Sequence, residues 1–406
     1  MNQDLPKLSP GRRRPALAAL LAAPAALAML LSACAMPRLL PDPGRGWLLV
    51  SAQDHKTEWV AGQSQWRPHP GPDTVSLIDL HGDLPRVVAT LNAPVDAGHA
   101  TVSVAVSPNE AMALVTSSQR PIGQQRHTAD NRLSVIDLRA KPPRVVKTVF
   151  VGQGPMGVAI HPQGKLALVA NQAEGTVSVL RIDGLAVDVL GRLPLGAGNS
   201  GPTQVLISAD GRQAFVSRAN DHRISVLAIN GETVRDTGRT MVAGNRPQAM
   251  VLCANTGLGV VANQGLDQGD QDTISLFDSR AQPPRVVDTV GVGQMPTGLA
   301  CSADGRRVAV SLSAGSHRAK GSPFWRERGQ VVLFAMEGQG LQRLGQIDVG
   351  AWPQGLWFTP DGRSLLVQNR LQHALSILQV SSSGLRDSGR QVLLPGAPVA
   401  LHAAAP

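Results

Sequence analysis

One stretch of sequence recurs throughout this chain, and its recurrence limits the possible folds more than any other feature. The clearest copy runs Gly-Val-Ala-Ile-His-Pro-Gln-Gly-Lys-Leu-Ala-Leu-Val-Ala-Asn-Gln from Gly157, followed by Thr-Val-Ser-Val-Leu from Thr176. A unit that repeats at a fixed period cannot bury its own apolar faces and must stack on its neighbours. Each unit holds four short runs in which apolar residues alternate with small or polar ones, which is the pattern of strands rather than helices. Four strands in roughly 40–50 residues are the dimensions of a β-propeller blade.

The first run of each unit ends in a turn such as Pro162-Gln163-Gly164, Ala209-Asp210-Gly211, Ala303-Asp304-Gly305 or Pro360-Asp361-Gly362. The glycine supplies the positive φ of a tight turn. Pro108-Asn109-Glu110 and Ala254-Asn255-Thr256 depart from this, with Asn expected to carry the unusual backbone. The third run is the most regular, with seven copies: Thr74–Leu80, Leu133–Leu138, Thr176–Ile182, Ile224–Ile229, Thr273–Ser279, Gln330–Met336 and Ala374–Val380. The fourth begins Pro-Arg-Val-Val at Pro85, Pro143 and Pro284, and an outer edge strand tolerates that proline. The first unit lacks an opening run, whereas Val399-Ala400-Leu401-His402 at the other end matches Val158-Ala159-Ile160-His161. The pattern predicts an all-β, seven-bladed β-propeller over residues 46–406, with blade 1 closed by the C-terminal strand.

Leu168-Val169-Ala170-Asn171, Val260-Val261-Ala262-Asn263 and Leu366-Val367-Gln368-Asn369 each precede a strand of the form Thr/Ala-x-Ser-x-aliphatic. These residues resemble the YVTN-type β-propeller repeats of bacterial envelope proteins, and the resemblance spans about Trp47 to His402. The family's tyrosine is replaced by Leu, Val or Phe; the chain has no Tyr at all. The resemblance implies a fold and an envelope setting but little about activity. A more distant likeness to lactonase-like seven-bladed propellers implies hydrolysis of sugar lactones as a candidate reaction.

The N-terminus indicates location. Arg12–Arg14 precede an apolar run from Ala16 to Leu31 that is short for a membrane-spanning helix. It ends in Leu31-Ser32-Ala33-Cys34, which resembles a bacterial lipobox. Residues 1–33 therefore read as a lipoprotein signal peptide, Cys34 as the lipidated N-terminus and residues 34–45 as a linker. A plain signal peptide or an uncleaved anchor is the alternative. Ala35, rather than Asp, favours an outer-membrane lipoprotein facing the periplasm or the cell surface. The formal charge of +9 falls to about +6 once Lys7, Arg12, Arg13, Arg14 and Asp4 are removed, which is no nucleic-acid signature.

Cys253 and Cys301 lie on the opening strands of adjacent blades, one position out of register. Neighbouring positions on a strand face opposite ways. The pair thus either meets across the blade 5–6 gap as a disulfide or points apart as two small buried residues. There is no Cys-x-x-Cys-His for haem and no His/Cys spacing for a metal, so no cofactor is expected.

Antiparallel strands place the two-to-three and four-to-next-blade connections on one face. The two-to-three connections are long in blade 1 (54–73), blade 2 (118–132), blade 5 (264–272) and blade 6 (313–329), and long loops on a rigid scaffold usually carry function. Of six tryptophans, Trp59 and Trp66 fall in the blade 1 loop, Trp325 in the blade 6 loop and Trp352 at the entry to blade 7. The expected ligand site therefore comprises Trp59, Trp66, Arg67, Trp325, Arg326, Trp352 and Arg370, four indoles gathered over blades 6, 7 and 1. Aromatic and Arg side chains suit a carbohydrate, peptide or protein ligand. No catalytic set is apparent in the sequence. The first functional reading is a monomeric, lipid-anchored, non-catalytic binding or scaffold protein. A lactone hydrolase is the second, although Asn199, Asn245 and Arg246 are all that the short central loops offer. An accessory of a periplasmic electron-transfer or dehydrogenase system is the third.

Overall fold

The four runs of each repeat form four antiparallel strands. The computed structural model describes residues 46–82, 84–97, 103–123 and 126–404. Seven four-stranded sheets succeed one another around a ring, each of blades 2 to 7 hydrogen-bonded in chain order. The alternating third strands are buried on both faces because each blade packs between two others. The core therefore lies between blades rather than at the centre: Met112 and Leu114 of blade 2 meet Val158 and Val169 of blade 3. Likewise, Val260 and Leu276 of blade 5 meet Val308 and Phe334 of blade 6.

Every blade shifts register between its third and fourth strands at the same place, as at Leu77/Ile78, Val179/Leu180 and Leu333/Phe334. Such bulges add local twist and turn the outer strand away from its neighbours. Asn at the end of the second strand donates to Ser of the third: Asn171 to Ser178 at 2.9 Å, Asn263 to Ser275 at 3.1 Å and Asn369 to Ser376 at 2.7 Å. The recurring Asn and Thr/Ala-x-Ser are thus two halves of one buried hydrogen bond.

Blade 1 is closed as the orphan run required. Ala397–Ala403 pairs antiparallel with Leu48–Asp54, with Leu49 opposite Ala403 and Val50 opposite His402. Leu401 and Ala403 join Leu366 and Leu375 of blade 7 in one cluster with Leu49 and Ile78. Tight turns between first and second strands line one face, where Gly164 and Gly211 each have φ of 72°. In blade 2 the left-handed residue is Glu110 (φ 52°), not Asn109, whereas Asn255 (φ 62°) takes that conformation in blade 5. The long loops occupy the opposite face.

Cys253 and Cys301 meet across the blade 5–6 gap as a disulfide, with Cα atoms 5.3 Å apart. Residues 1–33, Cys34 and the 34–45 linker lie outside the described residues. Among the described residues, no helix is long and apolar enough to cross a membrane.

Candidate functional site

A hairpin outside the blades dominates the long-loop face. Thr57–Val60 pairs with Gln63–Trp66 as a two-stranded sheet. Its tip residues Ala61 (φ 48°) and Gly62 (φ 78°) are both left-handed, as a two-residue hairpin turn requires. Near the tip, the Trp59 indole N–H donates to the carbonyl of His317 in the blade 6 loop. The Trp59 ring lies 4.2 Å from that of Trp352, and the His317 imidazole is 6.4 and 5.9 Å from the two indoles. At the base, Trp66 stacks on His127 of blade 2 at 4.8 Å. The hairpin is therefore a strap joined to blade 2 at one end and to blades 6 and 7 at the other.

Beneath it lies a buried ionic network. Arg370, just past the second strand of blade 7 (Ser364–Asn369), carries its guanidinium 4.9 Å from the Trp352 ring centre. Its Nη2 donates to Asp54 at 3.2 Å and to Thr57 Oγ1 at 3.1 Å. Lys56 Nζ bonds Asp73 and the Val95 carbonyl (2.9 Å) and lies 3.4 Å from Asp54. Asp96, fully buried, accepts from Ser118. Burial lowers the Arg370 pKa from its ordinary value, while Asp54 and Asp96 oppose that shift. Burial raises Asp73, with Lys56 opposing and Asp54 reinforcing. Arg370 Nη1 and Trp352 Nε1 are both buried, and neither has a hydrogen-bond partner in the protein.

On the blade 5–6 side, Ser313 Oγ bonds His317 Nδ1, and His317 Nε2 lies 3.1 Å from Asp267, which also pairs with Arg318 at 2.7 Å. Burial would raise Asp267, but the hydrogen bond and charge of His317, together with Arg318, outweigh it and lower its pKa. Ser313 is wholly buried and both ring nitrogens of His317 are engaged, so this chain of groups braces the loop under Trp59 rather than presenting an open nucleophile. Asp272 is raised to about 6 by burial, with Asp270 and Asp267 adding to the rise. His373 is lowered by burial first and then by Arg67, His55 and Arg370 nearby, which keeps its imidazole neutral at neutral pH.

Of the expected site residues, the structure brings together Trp59, Trp352 and Arg370. It does not gather four indoles: Trp66 sits at the hairpin base on His127, and Trp325 faces Lys320 at 5.8 Å. The length of the hairpin separates Trp66 from Trp59. Arg326 is exposed, and Arg67 Nε is 3.9 Å from Glu58. Arg370 is a buried pillar rather than an exposed flank. Asp54, Lys56, Asp73, Asp96, Ser313 and His317 were not singled out by sequence. Their only signal is a position in or beside long loops. Two clefts lie on the opposite face, one lined by Arg363, Gln379 and Arg386 and the other by Asn109, Arg139 and Leu185. Both are formed by turns. No group of three or more His, Cys, Asp or Glu among the described residues is placed to hold a metal.

The family model described as lactonase, 7-bladed beta-propeller, matches residues 137–283, a stretch that includes Asp267 and Asp272 but neither Trp352 nor Arg370. Comparison with curated protein sequences gives no match. Among solved structures, the periplasmic gluconolactonase of Pseudomonas aeruginosa is similar over 88% of this chain and 99% of its own, at 18% identity and a TM-score of 0.65. A Bacteroides uniformis protein provisionally assigned as a 6-phosphogluconolactonase is similar over 88% and 98%, at 16% identity and 0.66. Hydrazine synthase of Kuenenia stuttgartiensis is similar over 75% and 90%, at 15% identity and 0.58. At such identities the likeness is one of fold, and one fold carries unlike chemistries.

Proposed function

We propose that this protein binds a small sugar-derived lactone beneath the hairpin on its long-loop face and hydrolyses it. The observation that carries this reading is the contact of Trp59, Trp352 and Arg370, brought together from blades 1 and 7 over a ring with lactonase-like similarity. An indole face suits the C–H face of a sugar ring, and a guanidinium suits a carbonyl oxygen that gains negative charge. In the reaction, water attacks the lactone carbonyl carbon and the ring C–O bond breaks. The water proton passes through solvent to the departing ring oxygen, giving the hydroxy acid. Mixing the purified protein with δ- and γ-aldonolactones in a pH-stat tests this. Acid release above the spontaneous rate is expected; release at the spontaneous rate rejects hydrolysis.

Binding without turnover is the second reading. It is favoured by the burial of Ser313 and the double engagement of His317, which leave no preformed nucleophile. Saturable quenching of tryptophan fluorescence with no acid release would select it. In both readings the protein is a lipid-anchored envelope component, supported by Leu31-Ser32-Ala33-Cys34. Cys34→Ser should release it from the membrane fraction, and unchanged fractionation would reject the anchor.

A further inference from the structure

The two ends of the hairpin are held unequally. At its base, Lys56 and Thr57 are 6% and 3% exposed. Lys56 Nζ pairs with Asp73, Thr57 Oγ1 bonds Asp54, and Arg370 Nη2 donates to both Asp54 and Thr57. The Arg67 N–H donates to the Lys56 carbonyl at 2.8 Å and closes the base. Buried, charge-assisted bonds of this kind are expensive to break, so the base stays fixed. At the tip, Ala61, Gln63, Ser64 and Gln65 are exposed, and residues 60–65 make no hydrogen bond to a blade among the described residues. One hydrogen bond, from Trp59 Nε1 to the His317 carbonyl, holds the tip to the blade 6 loop, together with ring contacts and the approach of Gly62 to Ala319. A single neutral hydrogen bond is worth about a factor of ten in an equilibrium. Beneath the tip, Trp352 and Arg370 are 7% and 3% exposed, so a ligand that touches either must first displace what covers it. The return arm, Pro68-His69-Pro70-Gly71-Pro72, suits movement as a unit. Its alternate prolines stiffen it, and at Gly71 an added Cβ would meet nothing within 4 Å.

We propose that the hairpin is a gate. It swings about its fixed base and lifts its tip from the blade 6 loop, and a ligand reaches Trp352 and Arg370 only in the lifted state. The identity of the ligand rests on the lactone reading above; the motion does not. A segment held by few buried contacts opens far more often than the whole domain unfolds.

Thiol labelling of the full-length chain tests the gate. Ser316 is 5% exposed, precedes His317, and its Oγ accepts the Trp352 N–H at 2.8 Å. Ser316→Cys therefore places a thiol under the tip. Ser76→Cys, at a wholly buried position on the third strand of blade 1, places one that only global unfolding exposes. Cys253 and Cys301 are paired, and Cys34→Ser removes the remaining thiol from both variants. With Ellman's reagent, Ser316→Cys should react about a hundredfold faster than Ser76→Cys, at a rate unchanged by denaturant below the unfolding transition. Trp59→Phe, which keeps a ring and removes the N–H, should speed the Ser316→Cys reaction about tenfold. Equal rates for the two thiols overturn the gate, as does a Ser316→Cys rate indifferent to Trp59→Phe. If Ser316→Cys lowers the melting temperature, Ala351→Cys, beside Trp352, replaces it as the reporter. A polyhydroxylated six-membered lactam, which keeps the lactone carbonyl and resists hydrolysis, should shield the Ser316→Cys thiol at saturation. Opening without such shielding supports the gate and rejects the lactone reading, so the two failures are told apart.

Discussion

At the scale of single residues, the informative side chains are those whose ionisation the fold shifts furthest from its ordinary range. His402 is half-buried on the closing strand, and desolvation lowers its pKa to about 4 from 6.5. Its Nδ1 accepts the N–H of Val106 at 3.2 Å. Because the folded value lies below the unfolded one, its contribution is complete above 6.5 and is lost as pH falls towards 4. Asp272 runs the other way. Its folded value of about 6 exceeds the ordinary 3.8, so its contribution is complete below 3.8 and is lost as pH rises to 6. Each amounts to about 3 kcal/mol at most, at about 1.4 kcal/mol per unit. The two oppose each other over nearly the same window. His402→Gln should therefore gain stability relative to the unaltered protein on acidification from pH 6.5 to 4, and Asp272→Asn should lose it. Melting temperatures across that range check both signs. The fold was legible residue by residue: Asn171, Asn263 and Asn369 recur because each donates to a Ser of the strand that follows it. The buried ion network was not legible, because Asp54, Lys56 and Asp73 belong to no repeat. A singular residue offers no second copy to compare.

Among the elements, the blades follow from sequence and the strap does not. Alternation over six or seven residues identified every third strand, and the matched Val399–His402 run identified the closure. The path of the hairpin across the face depends on where Trp59 and Trp66 find partners on blades distant in sequence, which no local pattern records. Its docking turns on Gly62, where a Cβ would collide with the backbone nitrogen of Ala319 and where φ is 78°. Gly62→Val should lift the hairpin tip from the blade 6 loop while leaving the propeller folded. Trp59 would then become accessible to acrylamide quenching, with little change in the melting temperature. Unaltered quenching would show that the tip does not depend on that approach. The disulfide ties blade 5 to blade 6 across a separation of 48 residues. Chain-entropy arguments put the loss from Cys253→Ser with Cys301→Ser at about 2–4 kcal/mol in denaturant titration.

For the whole molecule, the decisive pairing joins the most distant parts of the described chain, Val50 with His402. Removing Ala397–Ala403 would strip an inner strand whose Val399, Ala400 and Ala403 are fully buried. A loss on the order of 5 kcal/mol should follow, together with a gain in aggregation from the exposed edge. Equilibrium unfolding and light scattering measure these two effects, and an unchanged unfolding midpoint would contradict the closure. That pairing has a directional consequence. Leu49 lies opposite Ala403, where other blades make their tight turn from first to second strand, so the two extremities of the ring emerge side by side at one spot on the back of the disc. The strap and its tryptophans occupy the front. A tag or solid support joined directly to either extremity of the ring therefore attaches on the face opposite the strap.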